Sequence, residues 1–198
     1  MTSRRFALAL AVSLVLAGAC GGGGDDDDDA PANADASAGG IDAAPGADSS
    51  GAEDLNMMAS DFECIKNGTK VHNFYVRNEL GHLDEALAVA NSPTGGTYPV
   101  GTIVQLVPFE AMVKRGAGYN PTTNDWEFFF LEINGAETTI GARGVEDVEN
   151  QFGGNCFDCH SKAEAQWDLI CEKDHGCDPL PLNDQLIQNL QDGDSRCE

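Results

Sequence analysis

Residues 156–160 read Cys-Phe-Asp-Cys-His and combine two thiols with an adjacent imidazole. Thiols at this spacing can each add to a vinyl group on one edge of a porphyrin, and the histidine that follows can ligate the iron. The pattern predicts one covalently bound haem c, with Cys156 and Cys159 forming the thioethers and His160 serving as the proximal iron ligand. The motif lies 38 residues before the C-terminus, so most of the chain precedes the haem.

The N-terminus has the composition of an export signal. Arg4 and Arg5 precede an apolar run over residues 6–16, and small residues lead from there to Cys20. A charged start, a short apolar stretch and a small-residue cleavage site are typical of secretory signals. With a cysteine at the cut, residues 1–19 resemble a bacterial lipoprotein signal, and lipid on Cys20 would anchor the exported protein to a membrane. The expected location is the outer membrane, facing the periplasm or the cell surface; a plain secretory signal stays open as the alternative.

Residues 20–54 are expected to form a flexible acidic tether, because glycines, alanines and a run of five aspartates give the segment almost nothing to bury. The remaining residues, 55–198, amount to one domain with nine Lys and Arg against 23 Asp and Glu. Its net charge of about −14 argues against nucleic acid as a partner, since phosphate binding needs a basic surface. The same charge favours basic or neutral redox partner proteins.

Four cysteines remain outside the predicted lipid and haem sites. An even number of cysteines in an exported chain favours two disulfides, with three pairings open. We expect Cys171 to pair with Cys177, because the two flank a short loop. Cys64 and Cys197 would then join the start of the domain to its end.

A zinc site is the alternative interpretation of the C-terminal cysteines. Cys156, Cys159, one of Cys171 and Cys177, and a histidine could together form a four-ligand site. The corresponding function is an exported binding domain without haem, stabilised by zinc or by disulfides.

Hydrophobic spacing predicts the elements that would position the motif. Apolar residues recur at helical spacing over residues 79–91, and residues 97–108 and 126–133 are rich in strand formers, the latter apolar on both faces. Further predicted elements are a strand over 137–140, a helix over 162–170 and a helical piece near 185–190. The strand-rich centre predicts an α+β domain, mainly an antiparallel β-sheet with a few flanking helices, with haem c attached near the C-terminus.

Three segments of the chain, residues 98–104, 118–128 and 155–171, also share motifs with a known family. Together they resemble the cytochrome P460 and cytochrome c′-β family of β-sheet haem proteins, over about residues 70–171. The resemblance implies an antiparallel sheet with helices, often dimeric, and a haem with histidine on one side and an open sixth position on the other. In that family, P460 proteins oxidise hydroxylamine with a lysine cross-linked to the haem, and c′-β proteins bind nitric oxide in an apolar pocket.

The resemblance also implies roles for residues on the strands that precede the haem motif. Lys114 falls at about the interval of the family's modifying lysine and is the candidate for a haem cross-link. Phe128, Phe130 and Glu132 share one strand face. A phenylalanine over the iron would admit only small diatomic ligands, and the Glu132 carboxylate could accept protons from hydroxylamine.

Four other side chains could ligate the iron on its distal side: Met112, His72, His82 and His175. A ligand from the protein would favour electron transfer, whereas an open position favours binding or turnover of small nitrogen species. The sequence therefore leaves three functions open: a protein that binds nitric oxide, a P460-type oxidoreductase, and a plain electron-transfer cytochrome.

Overall fold

The computed structural model describes residues 53–197, and its centre is one antiparallel sheet of six strands. The strands are Thr69–Val71 (β1), Phe74–Asn78 (β2), Thr102–Gln105 (β3), Glu110–Lys114 (β4), Trp126–Asn134 (β5) and Glu137–Gly144 (β6). Each strand pairs with the next along the chain. The helices are Leu83–Ala90 (α1), Cys156–His160 (α2) and Asp184–Asp192 (α3). The predicted α+β class with a mainly antiparallel sheet is confirmed.

Several predictions concern the N-terminal part of the chain. The signal peptide, the lipid on Cys20 and the tether up to residue 52 lie outside the described residues. Over residues 53–197, no helix has both the length and the apolar character needed to cross a membrane.

Strand β5 is apolar on both faces because it lies between two layers of core. Trp126 and Phe128 pack into the first layer, beneath α1 and α2, and Phe129 and Leu131 pack into the second. All four side chains are at most 1% exposed. Burying a side chain of this size contributes roughly 1.5–3 kcal/mol to stability, so β5 contributes to the packing of both layers.

The predicted helix over 162–170 is wrong. This region contains only a 3₁₀ turn, Ala165–Trp167, which ends at two residues with left-handed backbone, Asp168 and Leu169. The helix lies earlier, over Cys156–His160, where the Asn155 side chain accepts a hydrogen bond from the Asp158 N–H and so caps its first turn. Of the apolar residues that suggested the helix, Ile170 is buried in the first core layer, whereas Ala163 and Trp167 are half-buried outside it.

Two other predicted elements are shorter than expected. The helix predicted over 79–91 begins at Leu83, because Asn78 Oδ1 accepts hydrogen bonds from two backbone N–H groups of the preceding turn. The strand predicted over 97–108 begins only at Thr102. The chain turns at Gly101, where φ is +83° and a β-carbon would lie 2.6 Å from the Leu80 side chain.

Both predicted disulfides are present. Cys64 is joined to Cys197 across 133 residues, and Cys171 is joined to Cys177 across six. Cys171 and Cys177 therefore offer no thiolate to the alternative zinc site. Among residues 53–197, one group of potential ligand atoms lies close enough together to hold a metal ion: those of Cys64, Asp194 and Cys197. Because the two cysteines are joined in a disulfide, this group is not a metal site either.

The second core layer is closed by residues 53–62, which we call the N-terminal strap. Met57 and Phe62 of the strap are buried, and the Phe62 ring lies 5.0 Å from the Phe129 ring. At the start of the strap, Asp54 accepts hydrogen bonds from Arg115 Nε at 2.9 Å and from Arg115 Nη2 at 2.7 Å. The strap is thus held by an ion pair at one end and by apolar packing along its length.

Replacing Asp54 by Asn is expected to lower the free energy of unfolding by about 1 kcal/mol at neutral pH, after allowance for the solvent exposure of the ion pair. The hydrogen bond from Arg115 is the largest cause that holds the pKa of Asp54 at about 2, below its usual 3.8. Because the pKa of Asp54 is lower in the folded than in the unfolded protein, its ionised carboxylate stabilises the fold at pH values above the pKa of the unfolded state. This stabilisation is lost as the pH falls from about 4 to about 2. Denaturant unfolding at pH 7 and pH 2 measures both effects.

Asp147→Asn, at an exposed carboxylate, is the control for the loss of one negative charge. It should leave stability unchanged at both pH values. Equal stability of Asp54→Asn and the wild type at pH 7 would contradict the anchoring role of Asp54.

Candidate cofactor site

Helix α2 presents both thiols of the motif on one side. Cys156 and Cys159 are three residues apart, which places them on the same face of a helix, and both are free. The start of the helix is fixed by the Asn155 cap and by the Cys156 N–H, which donates to the Val148 carbonyl at 2.9 Å. The two sulfurs are therefore offered together from a short, anchored element.

The environment of Cys156 disfavours thiolate chemistry. Its side chain is buried against the first core layer, and this burial, with a smaller contribution from the charge of Glu110, raises the pKa of the thiol to about 12. At neutral pH the group is a protonated thiol. The raised pKa makes this thiol a poor reactant in disulfide exchange, which requires a thiolate.

His160, at the end of α2, has one ring nitrogen engaged and the other free for ligation. Its Nδ1 lies 2.6 Å from the carbonyl oxygen of Leu169. Because a carbonyl can only accept, Nδ1 carries the hydrogen and donates it, which leaves the lone pair on Nε2. Burial lowers the pKa of His160, against the opposing effect of the Leu169 carbonyl, and so favours the neutral ring that metals bind.

The sheet offers His160 an apolar surface. The ring of Phe128 lies 5.4 Å from the His160 ring and 6.2 Å from that of Phe157. Met112 is the cross-strand partner of Phe128, and both side chains belong to the first core layer. The structure thus brings two sequence-predicted residues, Phe128 and Met112, to the side of the sheet that α2 covers.

The other two predicted distal residues, Phe130 and Glu132, differ in burial. Phe130 is half-buried and packs against the same first core layer. It also lines a cavity of about 420 Å³ together with Ala142, Glu146, Asp147, Glu149, Asn150 and Gln151. Glu132 is exposed, and its carboxylate accepts a hydrogen bond from Thr139 Oγ1 at 3.3 Å. Glu132 therefore sits in solvent near the end of β5.

Each of the three candidate histidines contacts a partner outside the motif. His72 Nδ1 lies 2.8 Å from Glu172, and His82 Nε2 lies 3.2 Å from Glu53. The ring of His175 stacks on Trp167 at 3.8 Å with the two planes nearly parallel. Of the four candidates for a sixth ligand, Met112 is the one whose register places it beside Phe128.

Lys114, the candidate for a haem cross-link, is buried at the end of β4. Its ammonium donates to the carbonyl of Asn124 at 2.7 Å and to both carboxylate oxygens of Asp168, at 3.0 and 2.8 Å. It also lies 5.0 Å from the centre of the Trp126 ring. All three hydrogens of the ammonium group therefore have acceptors in this arrangement. The structure does not test the haem cross-link, which stays a prediction.

Asp168 is the residue of this site that the sequence did not reveal. Besides Lys114, its carboxylate accepts hydrogen bonds from the Tyr98 N–H at 2.9 Å and from Asn124 Nδ2 at 3.2 Å. Asp168 and Leu169 have φ of 49° and 65°, a conformation that costs roughly 1–2 kcal/mol for each residue that is not glycine. The one signal in the sequence was its place in the segment that resembles the haem family, where it was expected inside a helix.

The fold and the site together define an α+β domain in which a Cys-x-x-Cys-His helix packs on one face of an antiparallel sheet. Comparisons with protein-family models, with curated proteins and with solved structures found no match to this chain. The function is therefore inferred from the residues of the site themselves.

Proposed function

We propose that this protein is an exported, lipid-anchored haem c protein of the cytochrome P460 type, which binds or transforms small nitrogen species such as nitric oxide or hydroxylamine. Cys156 and Cys159 would hold one haem through thioethers, and His160 would ligate its iron. When bound, the haem would supply an iron that can exchange an electron and take up a small ligand.

The observation that carries this proposal is the orientation of His160. An imidazole that donates from Nδ1 to a backbone carbonyl keeps Nε2 free, and this is the usual arrangement of a histidine that ligates a metal. The two free thiols on the preceding turn complete the donor set of haem c.

The surrounding residues support binding of a small, uncharged ligand. Phe128 and Phe157 present aromatic rings near His160, so they would exclude water from this part of the site. Glu132 is the proposed proton acceptor for hydroxylamine turnover, whereas a haem cross-link through Lys114 would require its ion pair with Asp168 to break. The exposure of Glu132 means that a substrate near it would also be near solvent.

Plain electron transfer is the second candidate function, and Met112 favours it. Its thioether lies on the same sheet face as Phe128, and methionine paired with histidine is a common ligand set of electron-transfer haem. Ligation by Met112 would leave no open position for nitric oxide or hydroxylamine.

The test is the optical spectrum of the full chain, matured with haem in a bacterial periplasm. The sample is measured oxidised, reduced, and reduced with carbon monoxide or nitric oxide. We expect one covalent haem per chain, an open sixth position and a large spectral change on ligand addition. A ferrous band shifted strongly to the red would indicate the Lys114 cross-link.

Met112→Leu is the matched variant. An unchanged spectrum in this variant agrees with an open site. A six-coordinate wild type that becomes five-coordinate in Met112→Leu would establish the electron-transfer alternative. Wild-type protein with zinc, or with no covalent haem, would refute the proposed function.

A further inference from the structure

The carbonyl that orients His160 belongs to a loop with an unusual backbone. Leu169 accepts the hydrogen bond from His160 Nδ1 at 2.6 Å, and Leu169 and Asp168 both have positive φ. Leucine in particular rarely occupies this region. The direction of the Leu169 carbonyl is therefore maintained by contacts of the loop with the rest of the domain.

These contacts converge on Asp168, the residue directly before Leu169. Its carboxylate accepts from the ammonium of Lys114 and from the backbone N–H of Tyr98, and its carbonyl accepts from Trp126 Nε1 at 2.8 Å. Lys114 ends β4 and Trp126 begins β5, so the sheet itself fixes the loop. The side chains of Lys114 and Asp168 are only 6% and 4% exposed, which protects their ion pair from water.

We propose that Lys114 and Asp168 are positioning residues for His160, whose buried ion pair fixes the Leu169 carbonyl and thereby sets the orientation and the electron-donating strength of the imidazole. The inference rests on the proposed function, in which His160 ligates the haem iron. A firm hydrogen bond from Nδ1 increases the electron density on Nε2. With iron ligated by Nε2, this would favour the oxidised state and lower the reduction potential, and the ion pair would act through the Leu169 carbonyl.

This role differs from the cross-link that the sequence suggested for Lys114. A positioning lysine acts through its charge and its three hydrogen bonds, all of which are in place. A cross-link to haem would consume the amine and leave Asp168 as a buried carboxylate without its cation. Such a carboxylate is strongly unfavourable in a protein interior.

The test compares Asp168→Ala with Asp168→Asn in the periplasmically matured full chain. Alanine removes every acceptor of the carboxylate, whereas asparagine keeps one oxygen acceptor and tolerates positive φ. The measurements are the reduction potential of the iron and the iron–histidine stretching frequency in the resonance Raman spectrum of the reduced protein. We expect Asp168→Ala to raise the potential and lower the frequency, and Asp168→Asn to change both by a smaller amount.

Asp194→Ala is the matched control. Asp194 is also buried, with its carboxylate 2.8 Å from Arg196 Nε, but its contacts are at the Cys64–Cys197 end of the domain. It should lower stability and leave both spectroscopic quantities unchanged. If Asp168→Ala does not fold, the Lys114→Met/Asp168→Asn double variant is measured in its place, because it leaves no unpaired buried charge. Its reduction potential and stretching frequency are expected to change in the same directions.

Three results would overturn the inference. The first is an unchanged reduction potential and stretching frequency in Asp168→Ala or in the double variant that replaces it, and the second is an equal shift of both quantities in Asp194→Ala. The third is a covalent bond between Lys114 and haem, detected by mass spectrometry. Each of these presupposes a haem that is covalently attached in the wild type. Absence of that haem would instead refute the proposed function, so the two failures are distinguishable.

Discussion

Replacing both Cys156 and Cys159 by alanine is expected to abolish covalent haem attachment while the domain stays folded. Thioether bonds to the haem vinyl groups require sulfur, and alanine offers no nucleophile. Both cysteines are free in the structure, so no disulfide is lost. The cost to stability is limited to the void left by one buried thiol, about 1 kcal/mol.

Haem-stained denaturing gels of periplasmically matured protein measure this effect directly. The wild type should retain its haem after denaturation, and the double alanine variant should lose all of it. Each single variant keeps one thiol on α2 and should retain a reduced amount of haem through one thioether.

The control for this experiment is Cys171→Ala/Cys177→Ala. It also removes two cysteines from the C-terminal region, yet it leaves the motif intact. We expect it to retain haem at the wild-type level. Haem that survives denaturation in the Cys156→Ala/Cys159→Ala protein would show that the attachment site lies elsewhere.

Removing the Cys64–Cys197 disulfide is expected to lower the free energy of unfolding by about 3–5 kcal/mol. The bond joins residues 133 positions apart, so its loss returns a large loop-closure entropy to the unfolded chain. A domain of this size is stable by roughly 5–15 kcal/mol, so the Cys64→Ala/Cys197→Ala variant should be close to unfolding at elevated temperature.

The second disulfide is the matched comparison. Cys171 and Cys177 are separated by six residues, and the same entropy relation gives about 2 kcal/mol for that bond. Denaturant unfolding of both double alanine variants compares the two losses. A larger loss at the short loop would contradict the entropic explanation and would point to strain or to lost packing.

The N-terminal end of the domain has contacts that partly compensate for the loss of the long disulfide. The Ile65 N–H donates to Asp194 Oδ2 at 2.9 Å, and Arg196 Nη1 donates to the Phe62 carbonyl at 3.1 Å. These bonds join the same two chain ends as the disulfide. The native fold should therefore persist in the variant, at lower stability.

Strands β1, β2 and β4 were the part of the sheet that local patterns did not predict. The three strands that were not predicted, β1, β2 and β4, have between three and five residues, and strands of this length are stable only beside their neighbours. Strand β5 was predicted well because nine residues with two apolar faces leave few alternatives. The predicted C-terminal helix failed because tertiary contacts at Asp168 outweighed the helical spacing of its apolar residues.

The sequence by itself determined the groups of this protein that could do chemistry: two thiols and an imidazole at fixed spacing, and four other cysteines, for which it favoured one of three possible pairings. These are covalent and local properties, so they can be read without a fold. Only the tertiary structure decided that Lys114 meets Asp168, 54 residues away, and that the loop they hold presents the Leu169 carbonyl to His160. Such pairings depend on how the loop packs against the ends of β4 and β5, and no local pattern of residues encodes that packing.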